Sequence, residues 1–201
     1  MLLRLLGRAV GAWWRELVLL LVLNFLWLVA QITLVFGPPA TAVLYALTRR
    51  VVDREIVDLG DAWQAGKRLF AAAWTWGAAQ LVVYLVLGFN LLAYRSAGGL
   101  LVATLRSAWV LLALSWFAIN LYYWPLYLAE TDPRFTTTLS NAAKMALLNP
   151  GYTLAYALLA LLLIAGSVLS GLLLGAVLGA WLALWGHLVV ADRLHAAGVA
   201  S

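Results

Sequence analysis

The chain reads as an all-α protein, a polytopic bundle of transmembrane helices, and three observations lead there. Only 10% of its 201 residues are charged while 66% are hydrophobic, and the mean hydropathy is +0.97. Several apolar runs are long enough to cross a hydrocarbon core of ~30 Å, which takes about 20 helical residues. The Lys and Arg residues gather in short clusters between those runs. A soluble domain of this length would need many more charges to hydrate its exterior. The net charge of +5 and pI near 9.8 then reflect the cationic bias of cytoplasmic membrane loops. They do not indicate nucleic acid, because no basic face with interleaved aromatics is left in water.

The elements follow in chain order. The N-terminus, MLLRLLGRAVGAWWRE, carries Arg4, Arg8 and Arg15 where a signal peptide needs an unbroken apolar core, and no small-x-small cleavage site follows. It reads as an amphipathic cytoplasmic lead-in with Trp13 and Trp14 at headgroup level. The first span, residues 17–36, stops at Gly37-Pro38-Pro39, since paired prolines cannot continue a helix although Pro39 can begin one. Residues 39–52 form a short Pro-initiated hairpin helix, apolar for nine residues before Arg49 and Arg50. That stretch covers about half a bilayer. Acids early and bases late in 52–69, with Asp61 as N-cap after Gly60, predict a short cytoplasmic helix leading into the next span.

Spans at 70–94 and 100–128 come next, the second kinked at Pro125. Residues 131–150 predict an amphipathic helix along the inner membrane surface, with Phe135, Leu139, Met145 and Leu148 on its apolar side. Residues 152–190 hold 39 positions without a charge, too many for one helix. They divide near Gly166–Gly171 into spans at 152–168 and 171–190. The whole of 1–201 is thus one transmembrane domain of five long spans plus the short hairpin helix.

Charge sets the orientation. If residues 39–52 return the chain across the membrane, the N-terminal arginines and the cluster of Arg49, Arg50, Arg54, Lys67 and Arg68 share one side. Arg134, Lys144 and Arg193 join them, and the positive-inside rule makes that side, with both termini, cytoplasmic. Arginine outnumbers lysine eleven to two, which points to a GC-rich bacterial genome and hence the bacterial cytoplasmic (inner) membrane.

Residues able to carry chemistry are sparse. There is no cysteine, so thiol chemistry and Cys-based metal sites are absent. No Asp or Glu lies deep in a span, which argues against a carboxylate proton relay. Asn24, Gln31, Gln80, Asn90, Asn120 and His187 fall in or at the ends of apolar runs. They suit interhelical hydrogen bonds or, alternatively, a ligand path. Arg106 lies inside the third long run, either snorkelling to the outer headgroups or contacting a ligand. His187 and His195 lack the spacing of a metal motif, and no serine has the setting of a nucleophile. No catalytic residue, metal site or cofactor is expected.

Ser167, Gly171, Gly175 and Gly179 recur every four residues, a small-residue strip for close helix packing. Trp13, Trp14, Trp63, Trp74, Trp76 and Trp124 suit an interfacial aromatic belt. Trp27, Trp109, Trp116, Trp181 and Trp185 lie deeper, where packing or a sugar-binding cradle would use them.

The stretch NFLWLVAQITLVFGPPATAVLYALTRRVV resembles the signature of the YesL-like bacterial membrane proteins, a family of unknown function. The matching positions are Asn24, Trp27, Gly37, Pro39, Ala40, Thr41 and Arg49. DAWQAGKRLF and LYYWPLYLAE followed by LSNAAKMALLNPGYTL, with Pro125, Asn141 and Pro150, are similar too. Pro38 ahead of Pro39 and the high Trp content depart from the pattern. The resemblance reaches about Ala160 and implies an accessory role in carbohydrate uptake, without catalytic residues. Independently, the hairpin turn Gly37, Pro38, Pro39, Ala40 and Thr41 has a structural task, with Thr41 bonding exposed backbone and Ala40 permitting close approach.

The expected function is therefore a non-enzymatic accessory or partner subunit of a membrane complex, bound to lipid and to another membrane protein or to itself. The alternative is a stand-alone solute transporter using Arg106, Gln80, Asn90, Asn120 and the deep tryptophans. A third reading is a structural subunit of a bioenergetic complex, with His187 as the one plausible pigment or haem ligand.

Overall fold

The computed structural model describes residues 2–95, 98–170 and 177–198. Among them lie eight helices and no strand: α1 (Leu2–Arg15), α2 (Leu17–Ile32), α3 (Gly37–Val52), α4 (Leu59–Ala93), α5 (Leu100–Ala129), α6 (Phe135–Leu148), α7 (Pro150–Ser170) and α8 (Leu178–Ala196). An all-helical fold is what the apolar periodicity and scattered prolines predict. Three helices, α4, α5 and α7, are by length and composition able to cross a membrane.

The helix at the expected first span is shorter than its apolar run. The helix α2 stops at Ile32, not Phe36, because Thr33 Oγ1 donates to the Ala30 carbonyl at 2.7 Å and accepts from the Phe36 N–H. A hydroxyl that offers the backbone another partner ends a helix without any change in hydrophobicity. Leu34, at φ 55°, completes the turn, and Pro38 and Pro39 then sit in the first turn of α3, where a missing N–H costs nothing.

The short helix α3 is the centre of the bundle. Half of its 16 residues are buried, and it packs against α2, α4, α5 and α8. It runs antiparallel to α4, its most extensive neighbour: Pro38 lies against Gly77 and Val43 against Gly66. On its other side Leu44 approaches Gly179 of α8, a helix with 11 of 19 residues buried. Small residues at these crossings let backbones come close, the usual device where helices gain little from hydrophobicity alone.

The separate cytoplasmic helix expected before the second long span is not separate. The helix α4 runs unbroken for 35 residues from Leu59. Its N-cap is Asp58, not Asp61: the Asp58 carboxylate accepts from the Asp61 N–H at 2.9 Å, and Asp61 returns the bond to the Asp58 N–H at 3.0 Å. Asp61 thus takes the third position of a reciprocal capping box, a place the Asp-x-x-Asp spacing allows. Pro125 lies buried inside α5, which continues past it to Ala129.

Two amphipathic helices bury faces against protein where lipid was expected. The chain turns by 90° between α1 and α2, as a surface lead-in should, yet Leu5 and Ala9 pack with Ala142, Ala146, Val189 and Val190. Trp13 is only 7% exposed, in the core beside Leu20 and Leu47, while Trp14 is 68% exposed. Trp124 is likewise buried, so neither Trp13 nor Trp124 belongs to an aromatic belt. In α6 the buried stripe is Thr138, Ala142 and Ala146. Phe135 and Leu139 join the aromatic cluster around Tyr123, Met145 packs on the core, and Leu148 stays exposed. Small side chains win this face because they allow α6 to lie close to α5.

The expected division near Gly166–Gly171 falls beside residues 171–176, which include Gly171 and Gly175 and lie outside the described residues. Ser167 is buried in α7 and Gly179 in α8.

A Cβ at Gly77 would lie 2.6 Å from Pro38 Cγ and 2.8 Å from Pro38 Cβ, whereas one at Gly88 would meet nothing within 4 Å. The ring cannot yield without shifting α3. Gly77→Ala should therefore lower stability by about 1–3 kcal/mol, and Gly88→Ala should leave it level or raise it. Thermal unfolding of the two variants in one detergent compares them directly.

Candidate functional site

Several polar side chains inside the bundle form separate groups that close helix contacts, while the buried Thr48 bonds the Leu44 and Tyr45 carbonyls of its own helix. Between α4 and α5, Trp76 Nε1 donates to Asn120 Oδ1 at 3.0 Å, Gln80 Nε2 donates to the same oxygen, and Trp116 Nε1 donates to Gln80 Oε1 at 2.8 Å. Asn120 Nδ2 finishes the network on the Trp116 carbonyl. Gln80 and Asn120, singled out from the sequence, are thus brought together, and the structure adds Trp76 and Trp116. Two tryptophan donors one helical turn from two amides were the signal for this pairing.

Asn90 is not part of it; its amide donates to Val86 of its own helix at 2.8 Å. Arg106 is elsewhere again, donating to the Tyr94 carbonyl at 2.5 Å and toward that of Arg95 at 3.4 Å. A guanidinium on the carbonyls that end α4 satisfies orphan acceptors and favours the negative end of that helix. Arg106 therefore closes the α4–α5 hairpin at its tip.

The hairpin turn between α2 and α3 is tied by Thr41, which donates to the Gly37 carbonyl at 3.0 Å and accepts from Trp27 Nε1 at 3.0 Å. Gln31 Nε2 adds a bond to Gly37 at 3.1 Å. Asn24, fully buried, accepts from the Ala180 N–H at 3.0 Å and so caps the start of α8 across the bundle. His187 Nε2 donates to the Tyr45 carbonyl at 2.8 Å. That bond commits Nε2, the nitrogen an axial ligand would usually offer, to holding α8 on α3. No group of three or more His, Cys, Asp or Glu residues able to hold a metal occurs among the described residues.

The open space lies at the end of the bundle where the cations collect. A cleft of about 1090 Å³ separates the ends of α3, α5 and α8 from α6, with His187 and Pro125 in its floor. Arg49, Lys144 and Arg193 line it with Asp53, Glu130 and Asp132, so the two signs balance. Glu130 is held there by Thr138 at 2.5 Å and Asn141 at 2.9 Å, and Arg193 lies over the Tyr152 ring at 4.0 Å. The Glu130 cluster was missed in the sequence, although an acid ending an apolar run eight residues before a threonine was a usable hint.

A second groove of about 520 Å³ runs between α3 and the start of α4, with Arg49, Arg50 and Arg68 against the single acid Asp61. Arg50 reaches Glu55 at 2.7 Å, Asp61 at 2.8 Å and the Ile56 carbonyl at 3.0 Å. The backbone N–H of Asp58 and then the Arg50 guanidinium hold the Asp61 carboxyl below its ordinary range.

A double-mutant cycle measures what the Gln80–Asn120 contact is worth. Gln80→Ala and Asn120→Ala should show a coupling of about 0.6–1.7 kcal/mol, the range of interhelical bonds in membranes. Asn90→Ala should couple to neither in the same unfolding assay. No family model matches the chain, and no curated protein or solved structure does.

Proposed function

We propose that this chain is a non-enzymatic partner subunit of a complex in the bacterial cytoplasmic membrane, related to the YesL-like proteins and linked to carbohydrate uptake. One observation carries the reading: in the most apolar stretch of α5 no residue is buried, and in those of α4 and α7 only 11% and 17% are. A bundle that worked alone would bury one face of each span against its neighbours. Here α4 and α5 leave whole apolar surfaces for another membrane protein or a second copy to share with lipid.

A solute path through the amides lacks support, because Gln80, Asn90, Asn120 and Arg106 line neither of the two spaces described. Each is engaged by a neighbouring helix or by its own. The orientation, with both termini cytoplasmic, rests on where the cations meet. Arg15 donates to the Val51 carbonyl at 2.7 Å, which brings the N-terminal arginines to the same end as the Arg49–Arg68 cluster. Arg95 and Arg106 stand at the other end, beside the α4–α5 connection. Five long crossings and a short α3 arm fit this arrangement, with α2 and α8 completing the set begun by α4, α5 and α7.

Purification from native membranes in mild detergent, with mass spectrometry of what co-migrates, should yield a stoichiometric membrane partner. A clean monomer would instead favour a stand-alone transporter with the larger cleft as its site. The absence of cysteine makes orientation simple to read. A Gly98→Cys variant should react with an impermeant maleimide on intact cells, and Thr131→Cys only after lysis; the reverse pattern would invert the topology.

A further inference from the structure

We propose that the groove between α3 and α4 is a binding site for the phosphoryl group of an anionic phospholipid, with Arg49 and Arg68 as its cations. This rests on the membrane reading given above. The groove has three arginines against one acid, and that acid is already spent. Asp61 is bound by Arg50 and by the Asp58 N–H, while Arg50 also carries Glu55 and the Ile56 carbonyl. Two cations remain. Arg49 has only a loose pairing with Asp53 at 3.8 Å, both side chains being about half exposed. Arg68 has no ion-pair partner among the described residues.

The walls that hold these cations are rigid. The capping box fixes the first turn of α4, the Arg50–Asp61 ion pair ties that turn to the end of α3, and the bonds from Arg50 to Glu55 and the Ile56 carbonyl hold the loop between them. The floor is apolar, made of Ala46, Leu47, Ala65 and Leu128. Cations above an apolar floor match a phosphodiester whose glycerol and first methylenes must also be covered.

The surroundings favour a lipid over a soluble anion. Ile56, Leu59 and Trp63, at the height of the groove along the chain but outside its lining, are 93%, 57% and 69% exposed. Lys67 lies 5.2 Å over the Trp63 ring. An exposed tryptophan beside a lysine belongs at the headgroup layer, and the long apolar run of α4 begins just after Arg68. The groove therefore opens at the depth where phospholipid phosphates lie. The larger cleft does not compete for this role, because its charges cancel.

The test uses the full chain in detergent, titrated separately with phosphatidylglycerol, phosphatidylcholine and inorganic phosphate, and read by native mass spectrometry and by the unfolding temperature. Phosphatidylglycerol should bind and raise that temperature, and phosphatidylcholine should do neither. Arg68→Gln should weaken the phosphatidylglycerol affinity about fivefold, the effect of one cation near an anionic lipid. Arg49→Gln should act similarly, and Arg134→Gln, exposed at the same end but outside the groove, should change nothing.

If inorganic phosphate binds with the same Arg68 dependence, the phosphoryl chemistry stands and the source is a free anion. Equal binding of the two lipids, or an Arg68→Gln variant as tight as the parent, overturns the proposal. Arg68 holds no other side chain in place among the described residues, so its variant should fold even where Arg49→Gln does not. Detergent has no leaflets, so an inverted topology or a missing protein partner would leave this result untouched.

Discussion

The position of α3 is the constraint on which the other helices depend. At 16 residues it is about 24 Å long, and it is enclosed by α2, α4, α5 and α8. Gly77 and Gly66 on α4 and Gly179 on α8 make that enclosure close, because a side chain at either Gly77 or Gly179 would push into α3. Once α3 is surrounded, α2 must lie antiparallel to it across a turn of four residues, and α8 must cross it where His187 meets the Tyr45 carbonyl.

The polar chemistry of the bundle serves the same end. Most of the bonded amides, hydroxyls and indoles described above act where two helices meet or where one of them ends, while Asn90 bonds within α4. In a medium without water such groups cannot be left without a partner at low cost, so each bond between helices also fixes their relative height. Asn24 sets α2 against the first turn of α8, Gln80 and Asn120 set α4 against α5, and the Tyr156 hydroxyl, donating to the Leu182 carbonyl at 2.7 Å, sets α7 against α8. Gly186 belongs to this last contact, since a Cβ there would lie 2.6 Å from the Tyr156 hydroxyl and 2.9 Å from Pro125.

The two ends of the molecule differ for a related reason. Near the tip of the α4–α5 hairpin the Arg106 guanidinium bonds the Tyr94 and Arg95 carbonyls at the end of α4. The opposite end gathers the acids and nearly all the cations, and it is where the helix ends separate enough to leave clefts. Arg49 lines both of them, so the last turn of α3 links the helix at the centre of the fold to the surface most able to bind something.

The all-helical class, the Pro-initiated α3 and the extents of α5 and α7 were legible in the chain by itself, whereas the start of α4 at Leu59 was not. They follow from hydrophobic length, from proline, and from the spacing of charge, all of which act locally. Gln80, Asn120, Thr41 and Arg106 could also be named in advance, because a polar residue in an apolar run is conspicuous. What each bonds was settled only in three dimensions. The same holds for α3 as the centre, for Trp13 and Trp124 as core residues, and for Asp58 in place of Asp61 as the cap. Hydropathy reports how much a segment avoids water, and it is blind to whether lipid or protein does the covering. That choice depends on which small residues meet across helices, such as Pro38 with Gly77, and only the tertiary structure brings them together.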